Sequence, residues 1–93
     1  MRYQLDFTNQ YLRDLRLARK QGLDEAKLNA VLLKLIDGGP LPLRNRDHAL
    51  TGNYKGLREC HIAPDWLLIY SADKAIKLIT LIRTGSHSQL FGK

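Results

Sequence analysis

The 93 residues, 44% hydrophobic and 26% charged, suit one folded domain with a small core and exclude a disordered chain on composition. A formal net charge of +6 favours a polyanionic partner such as nucleic acid, although basic balances also occur in proteins that bind none. The single cysteine, Cys60, has no intramolecular partner, no signal-peptide pattern opens the chain, and no apolar run approaches the roughly 18 residues of a membrane span, so a soluble cytoplasmic protein is expected.

Arg2 to Phe7 alternates, with Tyr3, Leu5 and Phe7 on one side, which is the pattern of a half-buried strand. Thr8 or Asn9 then caps a helix running to about Lys20, whose apolar face carries Tyr11, Leu15 and Ala18 and whose opposite face carries Arg13, Arg16 and Lys20. That basic face reads either as a ridge for RNA phosphates or as a solvated helix surface. Gln21-Gly22-Leu23 breaks the pattern, and Asp24 caps a second helix in which Leu28, Val31, Leu32 and Leu35 recur at helical spacing until Gly38-Gly39-Pro40. So short a break makes the helices an antiparallel hairpin that needs a sheet to cover its apolar face.

Pro40 to Lys55 is polar and turn-rich, a long loop that holds His48 among Arg44, Arg46 and Lys55. Three strands follow at close spacing. Gly56 to Ile62 alternates, with Leu57, Glu59 and His61 facing one way and Arg58, Cys60 and Ile62 the other. Trp66 to Tyr70 is nearly continuous and apolar, as in a central strand covered on both faces; Ala75 to Thr84 is the third strand, after a turn at Ser71 to Lys74. Gly85 ends it, and Ser86 to Phe91 suits one helical turn. The expected fold is a single α+β domain over residues 1–93, of order strand, helix, helix, three strands. Its helical hairpin packs on one face of a small, mostly antiparallel sheet.

The stretch from Asp47 to Tyr70 holds two of the three histidines, and imidazole is the usual acid or base near neutral pH. Metal-free cleavage of RNA needs a base for the 2′-hydroxyl, an acid for the departing 5′ oxygen and positive charge for the phosphorane. His61 and Asp65 flank one turn, and His87 follows the strand that ends near Arg83, so adjacent strand ends would gather these four at one phosphate. His48 would close over it from the loop. Each residue has a plainer reading: a histidine of no catalytic role, a turn aspartate after Pro64, a core tryptophan at Trp66. Phe91, in a tail that reads as exposed, would stack on a base. Cys60 and His61 project to opposite faces and no zinc spacing occurs, so neither a metal nor another cofactor is expected; Gly38-Gly39 precedes a proline and makes no phosphate loop.

Asp47-His48, Leu50, Gly52, Gly56, Arg58, His61, Pro64-Asp65-Trp66, Leu68, Tyr70, Arg83, Gly85, His87 and Leu90-Phe91 together resemble the YafQ-type toxins of bacterial type II toxin–antitoxin systems, within the RelE/ParE superfamily. The resemblance implies a ribosome-dependent mRNA endonuclease (an mRNA interferase) that cuts the codon in the A site of the small subunit. It also implies a small cognate antitoxin that neutralises the toxin and binds operator DNA together with it. His48, His61, Asp65 and His87 carry over as catalytic residues with Phe91 beside them, and Arg83 joins them on chemistry as well. His87 is expected as general acid and His61, helped by Asp65, as general base. Arg13, Arg16, Lys20, Arg44, Arg46, Lys55 and Arg58 are the expected RNA contacts. The alternatives are a non-catalytic superfamily member that inhibits a protein target such as gyrase, and an RNA-binding module without turnover.

Overall fold

In the computed structural model, which describes residues 2–92, five strands form one sheet in the order β1-β5-β4-β3-β2, joined by three helices. β1 (Gln4–Phe7) runs parallel to β5 (Leu78–Gly85), and every other pairing, among β2 (His48–Ala49), β3 (Arg58–Ala63), β4 (Trp66–Asp73) and β5, is antiparallel. α1 (Asn9–Lys20) starts where the Thr8 hydroxyl accepts from the Tyr11 amide. α2 (Glu25–Ile36) starts where the Asp24 carboxylate accepts from the Ala26 amide. Both capping oxygens satisfy amides that the first turn leaves without partners.

The apolar stripes of the two helices, Tyr11 and Ala18 with Leu28, Val31 and Leu35, bury one face of the sheet under Cys60, Ile62, Trp66, Leu68, Tyr70, Ile79 and Leu81. Trp66 is core, and its indole N–H donates to the Thr84 hydroxyl at 2.9 Å while that hydroxyl donates to the Leu67 carbonyl. Burying such amphipathic rings requires these partners. The alternate residues Leu67 and Ile69 point to the second face, where Leu90 of α3 (His87–Phe91) and Leu50, Tyr54, Leu57, Ile82 and Phe91 cover them. β4 is therefore buried on both sides, as its unbroken apolar run requires.

Four expectations are corrected. The loop from Pro40 to Lys55 contains the two-residue strand β2, which pairs with Arg58 and Glu59, and two 3-10 turns, Leu43–Asn45 and Gly52–Tyr54. β4 continues to Asp73 because that carboxylate accepts from the amides of Ala75 and Ile76 and Lys77 turns through φ 56°; the hairpin bend thus lies later than expected. Phe7, expected inside with Tyr3 and Leu5, is 51% exposed, since it ends β1 and its ring lies 6.5 Å from that of Tyr11. Phe91 lies in no exposed tail: it is half-buried and meets Tyr54 edge-on at 5.7 Å.

Candidate active site

Two bulges aim the site. Between β4 and β5 the register shifts at Ile69/Tyr70, so that Arg83 pairs with Ile69 and is carried to the second face, while Thr84 returns to the first beneath Trp66. Between β3 and β4 the register shifts after His61, leaving His61 opposite Leu67 and Glu59 opposite Ile69. A bulge re-aims one side chain without ending the sheet. Directly paired residues share a face, so His48 (opposite Glu59), Glu59, His61 and Arg83 all leave the sheet on the second face, from which Arg83 reaches past the end of β1 to Asp14 of α1.

α3 brings the remaining groups over that face. Ser86 and Gln89 form a capping box, and the Gly85 backbone at φ 158° brings the chain so near Gln89 that a Cβ there would lie 2.7 Å from its amide oxygen. Asp65, in the β3–β4 turn, fastens the start of this short helix: one carboxylate oxygen accepts from the His87 amide at 3.0 Å and from its ring Nδ1 at 2.7 Å. The first and the second of these bonds hold the Asp65 carboxyl below its ordinary value. An ionised carboxylate only accepts, so Nδ1 carries the hydrogen and Nε2 is left as the working nitrogen. The His87 ring lies 5.7 Å from that of His61 and 6.5 Å from that of Phe91.

Asp65 was expected to serve His61; its carboxylate goes to His87 instead. The carboxylate beside His61 is Glu59, whose Oε1 lies 3.6 Å from His61 Nε2 and 3.5 Å from His48 Nε2. The strand alternation had put Glu59 and His61 on one face, which was the available signal, but the pairing with β2 that adds His48 left no periodicity to read. Burial pushes the His61 ring below the usual histidine value, Glu59 works against it, and Arg46, His87 and His48 add to the lowering. His48 is exposed, and its Nδ1 lies 2.6 Å from the Arg46 carbonyl, its acceptor.

Arg83 is not free in the cleft. Its guanidinium donates to both oxygens of Asp14 at 3.0 Å, and Asp14 also accepts from the Thr84 amide at 3.2 Å, where β5 extends past the end of β1. The hydrogen bond to Asp14 raises the Arg83 pKa; the hydroxyl of Tyr54, whose ring meets Phe91 edge-on, donates to the Leu90 carbonyl at 3.3 Å. Arg58 is similarly engaged, 3.3 Å from Asp47, whose same oxygen accepts from the Tyr70 hydroxyl at 2.6 Å. This network ties the segment before His48 to β3 and β4 and engages the Nε of Arg58, whose side chain stays 42% exposed. Arg13, Arg16, Lys20 and Lys55 are exposed. Arg44 and Arg46 line a groove of about 600 Å³ with Lys27 and Lys34 of α2, over a floor that includes Val31 and Ile62, and His61 stands at its wall. Asn45 holds that wall in place by donating to the His61 carbonyl at 2.7 Å. Among the described residues none of those four cations forms an ion pair.

Residues 3–92 match the family described as the bacterial toxin of type II toxin–antitoxin systems, YafQ. The chain is 42% identical over 89 residues to the mRNA interferase toxin YafQ of Escherichia coli K12, covering 95% of each. It superposes on YafQ in the crystal structure of the E. coli DinJ–YafQ toxin–antitoxin complex with a TM-score of 0.89 at 40% identity, covering 99% of this chain and 100% of that one. YafQ from E. coli BL21(DE3) gives a TM-score of 0.90 at 37% identity, covering 97% and 99%.

Proposed function

The chain belongs to the YafQ family of bacterial toxins of type II toxin–antitoxin systems, and from this premise we propose that it acts as a ribosome-dependent mRNA endonuclease. The observation that carries the reading is the convergence of His61 and His87 on one face, rings 5.7 Å apart, each beside its own carboxylate. A pure binding module has no need of two imidazoles so placed.

The 2′-hydroxyl of the bound RNA attacks the adjacent phosphorus, the P–O5′ bond breaks, and the products are a 2′,3′-cyclic phosphate and a 5′-hydroxyl. His61, neutral at working pH because burial disfavours its cation, takes the 2′ proton. His87, its Nδ1–H fixed by Asp65, gives a proton from Nε2 to the 5′ oxygen. Arg83, oriented by Asp14, stabilises the charge that gathers on the phosphorane, and His48 positions the phosphate or shares the proton transfer. Phe91 offers a ring edge or face to a neighbouring base.

The codon and ribosomal RNA hold the message in line for attack, so the protein need supply only part of the positioning. Arg13, Arg16 and Lys20 dock on ribosomal RNA, and the groove beside His61 takes the flanking strand along Lys27, Lys34, Arg44 and Arg46. A cognate antitoxin neutralises the toxin and carries it to operator DNA, all in the cytoplasm. E. coli YafQ is found in complex with DinJ, and no helix among the described residues here is long and apolar enough to cross a membrane.

The roles are tested with a substrate whose 5′ leaving group is activated, such as a 5′-bridging phosphorothiolate. Activation should restore much of the lost rate to His87→Ala and little to His61→Ala. Rescue of His61→Ala alone would exchange the two roles.

A further inference from the structure

We infer that Glu59 is a positioning residue of this site, a single buried carboxylate that holds the imidazoles of both His48 and His61 in register with the scissile phosphate. The inference rests on the nuclease reading above. One oxygen, Oε1, lies 3.5 Å from His48 Nε2 and 3.6 Å from His61 Nε2, and the Glu59 side chain is only 6% exposed. Its neighbour across the ladder is Ile69, which is fully buried, so an apolar side chain would suit the packing there at least as well. A buried negative charge also opposes the entry of a polyanion. Stability and substrate affinity both argue against a carboxylate at this position, and the two imidazoles that share it supply its reason.

The geometry shows what the carboxylate does for each ring. His48 sits on a two-residue strand and is exposed, with its Nδ1 on the Arg46 carbonyl, so the Glu59 contact is the second point that fixes its orientation. His61 belongs to β3 itself. The groups that act on its ring are Glu59 from its own strand, His48 from β2, Arg46 from the preceding loop and His87 from α3; Glu59 alone among them favours the cation. Without Glu59, burial and the lowering influence of Arg46, His87 and His48 act on His61 unopposed, and the base becomes weaker as well as looser.

The test compares Glu59→Gln and Glu59→Asp with the wild-type chain in two ways: the His61 titration followed by NMR on the free protein, and single-turnover cleavage of message on programmed ribosomes across pH. In the Gln variant the His61 midpoint should move down, cleavage at saturating ribosomes should fall about 10–100-fold, the scale of outer-shell partners at other sites, and half-saturation should stay within about threefold, as expected when ground-state binding is kept. The acid limb of the rate profile should move to lower pH. The Asp variant keeps the charge with a shorter reach and should return the titration toward wild type with part of the rate. A Gln variant that melts lower yet keeps the wild-type titration and rate would reduce Glu59 to a structural residue and overturn the inference, as would a moved titration with an unchanged rate at every pH. A wild-type chain that cuts nothing refutes the nuclease reading instead. In that case the titration alone decides the carboxylate's hold on the imidazole: a lowered midpoint upholds it and an unmoved one overturns it.

Discussion

Replacing Asp14 with asparagine should loosen the corner where α1 meets the end of β5. The carboxylate accepts from Arg83 Nε and Nη2, each at 3.0 Å, from Gln10 Nε2 at 3.0 Å and from the Thr84 amide at 3.2 Å. The side chains of Asp14 and Arg83 are 9% and 25% exposed. The pair therefore lies between a surface ion pair worth at most about 1 kcal/mol and a buried one whose breaking costs about 3–5 kcal/mol; we take about 2 kcal/mol. For a domain of this size that lowers the melting temperature by about 8–16 °C. Burial pushes the Asp14 carboxyl up, but the bonds from Arg83, Gln10 and the Thr84 amide outweigh it, so its folded value lies below the ordinary one. A carboxyl depressed in the folded state adds stability that is whole above the unfolded value and is lost as pH falls through the folded one. Melts followed by circular dichroism should therefore show a constant gap between wild type and Asp14→Asn near neutrality, closing below about pH 4. An Arg83→Gln cycle should give a coupling of at least about 0.5 kcal/mol. A gap that persists unchanged in acid, or zero coupling, would refute the assignment.

Reversing Lys27 and Lys34 to glutamate should weaken ribosome or RNA binding and flatten its log–log salt dependence by about 1.4 for two contacts on a single strand, read by titration over a range of salt; an unchanged slope would return the groove to plain solvent. Thr84→Val removes the acceptor of the Trp66 indole and should cost about 1–3 kcal/mol in denaturant unfolding. Cys60 is fully buried, and burial pushes its thiol up to about 12. A disulfide reagent should label it no faster than the chain unfolds, and prompt labelling of the folded protein would contradict the packing of β3.

The fold was legible wherever the sequence carries a period. The helix caps Thr8 and Asp24, the alternation through Glu59 and His61 and the unbroken apolar run of β4 each set an element within a few residues of its observed bounds. Less legible was whatever depends on register. His48 joins the sheet through a two-residue strand too short to show alternation, and Arg83 reaches the second face by a bulge that inserts one residue without changing composition. The same blindness misassigned the carboxylates. Asp65 is near His61 in sequence but bonds to His87, whereas Glu59, two residues from His61 on a strand, shares its face. Arg58 and Arg83 looked like free cations because their partners, Asp47 and Asp14, are 11 and 69 residues away.

The central claim is met most directly by primer extension on a reporter message in a translation extract, comparing the wild-type chain with His87→Ala. The account predicts discrete in-frame cuts with wild type, on translated message only, and their loss in the variant while ribosome binding persists. Arrested translation over intact message, or equal cutting by both proteins, would contradict it.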